Sequence, residues 1–122
     1  MAQIRAEFAL STSTVSSEAL GFSTVKLLSV KNPAIQSQVA DVASDADTDV
    51  VTPAAGEAAY LYVYNMDATN YISIKLGGAA VLRVGPKETH WMCIDSSIAC
   101  KLRANTAQCT AEFGYFTLDK YR

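Results

Sequence analysis

Residues 60–75 constrain this chain more than any other stretch. Tyr60-Leu61-Tyr62-Val63-Tyr64-Asn65 runs into Met66-Asp67-Ala68-Thr69, and then into Asn70-Tyr71-Ile72-Ser73-Ile74-Lys75. Both halves alternate with period 2, so each predicts a strand with two chemically distinct faces. Pairing them as a hairpin across the four-residue loop sets Asn65 opposite Asn70, Val63 opposite Ile72 and Leu61 opposite Ile74. Leu61, Val63, Ile72 and Ile74 then form a core face. Tyr60, Tyr62, Tyr64 and Tyr71 share the other face with Ser73 and Lys75. A tyrosine ribbon suits an interface, because a rigid ring supplies area while its hydroxyl stays wet. Three roles fit such a face: packing on a second sheet of the same chain, meeting a partner, or stacking on sugar rings.

Strand signals recur along the chain. Residues 3–10 alternate Ile4, Ala6, Phe8 and Leu10 against Gln3, Arg5 and Glu7, which predicts an N-terminal strand within residues 1–12. The Ser/Thr-rich residues 11–17 read as a loop. Residues 22–30 read as a second strand, stopped at Asn32-Pro33 because proline cannot continue a central ladder. Residues 35–42 read as a weaker third strand. Residues 41–57 are acidic and alanine-rich, with Pro53 and Gly56, and read as a surface loop holding a short edge strand at 49–52.

Past the Gly77-Gly78 turn, a strand over 79–84 closes at Gly85-Pro86, and the next spans 88–95. A two-residue turn at Ser96-Ser97 sets Cys93 opposite Cys100 and Trp91 opposite Leu102. Trp91, Cys93, Ile98, Cys100 and Leu102 then share an apolar core face. Returning across residues 105–108 sets Leu102 opposite Ala111 and Cys100 opposite Phe113. Lys101 then meets Glu112 on the outer face as an opposite-charge pair. These pairings make the C-terminal half a meander. Helical periodicity is nowhere sustained. For 122 residues the expectation is one all-β domain, an antiparallel, jelly-roll-like β-sandwich of about eight or nine short strands.

The chemical motifs are sparse. Asp45-Ala46-Asp47-Thr48-Asp49 resembles the start of a calcium loop. Val50 stands where that loop needs glycine, and Glu57 falls one position late, so a solvated acidic loop competes with an irregular Ca²⁺ site. His90 is expected on the outer face near Arg103, with no carboxylate to orient it as a base. His90 and Cys93 have opposite strand parity and do not converge on a zinc ion. Cys93, Cys100 and Cys109 show no CxxC spacing and fit buried thiols, though an opposed Cys93–Cys100 pair could close a strained disulfide. No phosphate loop, dinucleotide fingerprint or paired-carboxylate motif occurs. The expectation is a protein without enzymatic activity, catalytic residues, cofactor or metal.

Charge and hydropathy bound the partners. The net charge is −2, and no basic cluster exceeds Lys101 and Arg103, which argues against a nucleic-acid footprint. No apolar run approaches a membrane span. Met1-Ala2-Gln3-Ile4-Arg5 passes straight into strand alternation, so the chain is expected to be made in a host cytoplasm and not secreted. Only 18% of residues are charged, which suggests that partners cover part of the surface.

The hairpins and turns of residues 58–118 carry a resemblance. Asn65-Met66-Asp67-Ala68-Thr69-Asn70-Tyr71-Ile72 is followed by Gly77-Gly78 and by Leu82-Arg83-Val84-Gly85-Pro86-Lys87-Glu88. Leu102-Arg103-Ala104-Asn105-Thr106-Ala107 and Thr110-Ala111-Glu112-Phe113-Gly114-Tyr115 complete the series. This pattern resembles the small β-sandwich virion proteins of tailed bacteriophages: head decoration or cement, neck and tail accessory proteins. The resemblance implies a non-enzymatic virion component, assembling with itself as a trimer or higher ring and with capsid, neck or tail proteins. A carbohydrate-binding adhesion module is the alternative.

Overall fold

The computed structural model describes residues 2–11, 21–30, 36–95 and 97–117, and their regular structure is all β. β1 (Ala2–Ser11) and β2 (Gly21–Val30) pair with each other as a two-stranded ribbon. The remaining strands are β3 (Gln36–Val42), β4 (Thr48–Val51), β5 (Ala59–Asn65), β6 (Ile72–Leu76), β7 (Ala79–Val84), β8 (Thr89–Ile94), β9 (Cys100–Ala104) and β10 (Cys109–Thr117). They form two four-stranded antiparallel sheets, ordered β3-β10-β5-β8 and β4-β9-β6-β7. The pairs β3–β10, β4–β9, β5–β8 and β6–β7 describe one long hairpin folded about the Gly77-Gly78 turn. Wrapping that hairpin sends alternate pairs to opposite sheets, which is the jelly-roll path. Among the described residues the sandwich therefore has eight strands, and the β1–β2 ribbon brings the total to ten. The Ser/Thr stretch at 12–17 and the Asn32-Pro33 stop lie outside the described residues.

The core forms where the inner faces of the two sheets meet. β5 contributes Leu61 and Val63, β6 Ile72 and Ile74, β9 Cys100 and Leu102, and β10 Cys109, Ala111 and Phe113, all buried. The alternation on β5, buried at every second residue, is what period 2 demands of a strand with one face inward.

Several expected pairings are replaced. β5 and β6 do not form a hairpin. They lie in different sheets, so Leu61 and Val63 face Ile72 and Ile74 across the core rather than beside them. β8 and β9 also lie in different sheets, as do β9 and β10, so the C-terminal half is not a meander. Lys101 meets Asp49 at 3.5 Å instead of Glu112, and Glu112 stands opposite Val39 and Tyr64. The physical reason is common to all three. Alternation fixes which side chains point inward, and it reads the same whether a chain returns beside itself or crosses to the facing sheet about 10 Å away.

The parity of β8 is also inverted. Trp91 and Cys93 are not core residues: both are exposed on the outer side, Trp91 by 41%. Ile94 is buried and Met92 packs on the core, and His90 is on the same inward side, opposite Val63. Thr89–Ile94 is apolar on both parities. Only the turn placement separates them, and the chain uses a longer connection to cross between sheets.

Asn65 holds one such crossing. It ends β5 fully buried, and its Nδ2 donates to the carbonyls of Asn70 (2.8 Å), Val84 (3.2 Å) and Gly85 (3.2 Å). Its Oδ1 accepts from the Asp67 N–H at 3.0 Å. Asp67 Oδ2 in turn accepts from the Thr69 N–H (2.9 Å) and the Asn70 N–H (2.6 Å). These Asx contacts shape the loop as an arch.

Candidate functional site

The outer face of the β3-β10-β5-β8 sheet is aromatic. On β5, Tyr60, Tyr62 and Tyr64 all point outward and are half-buried. In register, Tyr60 stands between Phe116 and Cys93, Tyr62 between Gly114 and Trp91, and Tyr64 between Glu112 and Thr89. The centroids of Tyr60, Trp91 and Phe116 form a triangle with sides of 5.0, 5.6 and 5.7 Å. Tyr60 is inclined by only 17° to Trp91 and 22° to Phe116, the offset stacking that aromatic quadrupoles favour. The stack leaves Phe116 only 5% exposed, although it points away from the sandwich core.

Tyr62 is held differently. The Tyr62 hydroxyl donates to Glu112 Oε2 at 3.2 Å. Burial pushes its phenol above the usual value; a hydrogen bond with Ser37 opposes this, and the Glu112 carboxylate adds to it. Ser37 is on β3, beyond β10, and Gly114 stands between them in register. A side chain at 114 would lie where the tyrosine crosses β10.

Tyr71 does not belong to this face. It precedes β6 in the other sheet, and the Arg83 guanidinium sits 3.9 Å from its ring centroid. Phe116 takes a place on the aromatic face that the sequence reading left out. Its signal was there: in a strand that buries Phe113, residue 116 has outward parity.

The β1–β2 ribbon stands over part of this face and leaves a groove of about 700 Å³. Arg5, Ala6, Glu7, Phe8, Thr24 and Lys26 line the ribbon side; Tyr60, Tyr62, Thr89 and Trp91 line the sheet side. Four rings, Phe8, Tyr60, Tyr62 and Trp91, share the wall with the charged Arg5, Glu7 and Lys26, a mixture of apolar and polar groups found at contact and ligand surfaces.

The opposite outer face, on β4-β9-β6-β7, collects charge. Lys75 stands opposite Lys101, and Ser73 stands between Arg83 and Arg103. The basic cluster is thus larger than Lys101 and Arg103, because the fold aligns residues far apart in sequence. Asp47 receives both hydrogen bonds from Lys75 Nζ, at 3.0 and 2.9 Å, and lies 3.7 Å from Arg103. The acidic segment 41–57 therefore contains β4 and is pinned by ion pairs. Asp47 and Asp49, two of the three aspartates of the calcium-loop reading, each pair with a basic side chain. Among the described residues no three His, Cys, Asp or Glu side chains gather as a metal site.

Two carboxylates are set for acid sensitivity. The Lys75 hydrogen bond chiefly holds Asp47 below the usual carboxylate value, and the Asn70 and Thr69 N–H groups do the same for Asp67. A depressed folded value means the contribution is present above the unfolded value and lost as pH falls through the folded one. Chemical denaturation from pH 6 to pH 2 should show stability falling below about pH 4. Asp47→Asn and Asp67→Asn should each flatten that decline, and unchanged acid limbs would refute the assignment.

The thiols divide cleanly. Cys100 and Cys109 are buried, and Cys93 is exposed, so the expected Cys93–Cys100 opposition does not occur. Burial pushes the Cys100 thiol up to about 11 and raises Cys109 too, with the Asp67 charge adding to the latter. Since the thiolate is the reactive form, a thiol reagent on the native protein should modify Cys93 alone. Peptide mass mapping checks this, and rapid modification of Cys100 before unfolding would contradict it.

Compared with known proteins, the chain matches no family model and no curated protein.

Proposed function

We propose that this chain is a non-enzymatic structural component of a tailed-phage virion. It assembles as a homo-oligomer on the head, neck or tail, with a decoration or cement role favoured. The virion assignment rests on the resemblance of the hairpin and turn pattern. The observation that supports assembly is the aromatic face: Tyr60, Tyr62 and Trp91 present rings on the outer face of the sheet, beside the β1–β2 ribbon. Tyrosine and tryptophan are the residues that interfaces concentrate. The jelly roll itself is neutral, since that fold serves capsids, lectins and enzymes alike. Multi-angle light scattering at high micromolar concentration should give the mass of a trimer or larger ring. A monomer would overturn the proposal.

The exposure of Trp91 favours one second reading, a carbohydrate-binding module whose platform is Trp91 and Tyr60. A glycan-array screen separates the two. Specific sugar binding lost in Trp91→Ala, by a protein that is monomeric throughout, would replace assembly with adhesion.

A further inference from the structure

Four strands end the two sheets of the sandwich: β3 and β8 in one, β4 and β7 in the other. An edge strand offers unpaired backbone groups, and natural sheets blunt such edges with charge, proline, bulges or shortness. β3 carries Asp41 on its outer side. β4 is four residues long with a shift in its pairing, and β7 pairs across a shift and bears Arg83. β8 has none of these devices. Thr89-His90-Trp91-Met92-Cys93-Ile94 is without proline, acid, lysine or arginine, and it pairs with β5 along its whole length without a break. The β1–β2 ribbon lines the groove beside Thr89 and Trp91 but makes no backbone ladder with β8. β7, joined to β8 through residues 85–88, edges the facing sheet on the same flank, and its Val81 and Leu82 are 54% and 39% exposed.

The ladder fixes which backbone groups this edge presents. The Asn65 N–H donates to the Glu88 carbonyl at 3.0 Å, and the β5–β8 pairing continues in step. Glu88, His90, Met92 and Ile94 therefore turn their backbone groups toward β5, and Thr89, Trp91 and Cys93 turn theirs away from it.

We propose that β8 pairs antiparallel with β8 of a second copy of this chain, about a twofold axis at Trp91; the inference rests on the assembly reading above and names one contact within it. One register satisfies the whole edge. Trp91 meets Trp91, and Thr89 meets Cys93 on either side, each such pair exchanging two backbone hydrogen bonds. Just beyond the strand ends, Lys87 of each copy stands beside Asp95 of the other, an opposite-charge pair at both ends. Sliding the pairing by two residues leaves outward backbone groups of each copy unmatched and moves Lys87 away from Asp95. This self-match of backbone and charge selects a second β8 as the occupant. The side chains of Thr89, Trp91 and Cys93 keep to the outer face, so the aromatic surfaces of the two copies join through their Trp91 rings, each with its own Tyr62 beside it. The contact is closed by its own twofold axis, so an assembly that uses it on every chain contains an even number of chains.

The test uses the full chain. Cys93→Pro removes an N–H that β5 does not use, and an edge strand accepts proline at such a position. The light-scattering mass should fall at least twofold, with the urea midpoint of the sandwich kept. Separately, Thr89→Cys is oxidised in its assembled state. Opposed residues of a hydrogen-bonded pair lie about 5.5 Å apart at Cα, within disulfide range. Positions 89 and 93 of one chain are about 13 Å apart along the strand, beyond that range. A disulfide-linked pair of chains is expected, with peptide mapping that joins position 89 of one chain to Cys93 of the other. If the assembled variant gives no such link, or a folded Cys93→Pro protein keeps the wild-type mass, the edge pairing falls while assembly through the aromatic face stands. A monomeric wild-type protein overturns both.

Discussion

Asn65→Asp should be the most damaging isosteric change in this protein. The substitution keeps the shape of the side chain and removes its two N–H donors. The carbonyls of Asn70, Val84 and Gly85 lose this donor, Val84 in a buried bond and the other two in part-buried ones, while the Asn70 carbonyl keeps a weak contact with Cys109 Sγ at 3.9 Å. Each buried polar group left without a partner costs about 1–3 kcal/mol, and a buried charge costs more. A loss of about 3–5 kcal/mol at pH 7 follows, against a typical total of about 5–15 kcal/mol for a small domain. The pH dependence carries the diagnosis. An aspartate facing carbonyls without compensation has its folded value raised, so stability falls as pH rises from the unfolded to the folded value. The deficit relative to wild type at the same pH should therefore shrink below about pH 5, where the protonated acid can again donate. Urea denaturation of both proteins at pH 7 and pH 4.5 measures it. A deficit independent of pH, or under about 1 kcal/mol, would show that the arch stands without Asn65.

The arch also explains why some of the fold was legible in the sequence and some was not. The inward parity of β5, β6, β9 and the first half of β10 could be read directly. Only one face of each of those stretches is apolar, and any pairing buries Leu61, Val63, Ile72, Ile74, Cys100, Leu102 and Phe113. Partner choice could not be read from alternation. Asn65 through Asn70 was long enough for either a hairpin or a crossing, and what decides it is a side chain turned inward onto carbonyls from two loops. The turn that was correctly placed, Gly77-Gly78, has local chemistry that fixes it: both glycines take positive φ, at 61° and 90°. β8 failed for a further reason. His90, Met92 and Ile94 are as credible a core face as Trp91 and Cys93, and alternation alone does not rank the two. The tyrosines of β5 needed no partner knowledge, because their parity is set by Leu61 and Val63. Tyr71 lies beyond the arch, so its sheet follows from partner choice, which alternation does not encode.

That inversion of β8 separates stability from assembly at two positions only strands apart. Leu61→Ala removes a fully buried side chain from the centre of the sandwich, where the neighbours can only partly collapse. Such truncations cost about 2–5 kcal/mol, and the variant should unfold at markedly lower urea or fail to accumulate. Trp91→Ala removes a larger ring, yet from the outer surface, where it packs on Tyr60 and Phe116. Two aromatic pairs at about 0.5–1.5 kcal/mol each give a cost in stability of about 1–3 kcal/mol, and the variant should still fold. The effect belongs instead to association. Large aromatics at the centre of an interface commonly carry 2 kcal/mol or more of binding, about thirtyfold in affinity. Trp91→Ala should thus lower oligomer mass at concentrations where wild type is assembled. Tyr62→Ala should do so more weakly, because half of what its hydroxyl holds is its own Glu112. Equilibrium denaturation and light scattering on the same samples give both axes. An unfolded Trp91→Ala protein would mean the ring supports the sandwich after all. A folded one with undiminished oligomer would move the contact surface away from this face.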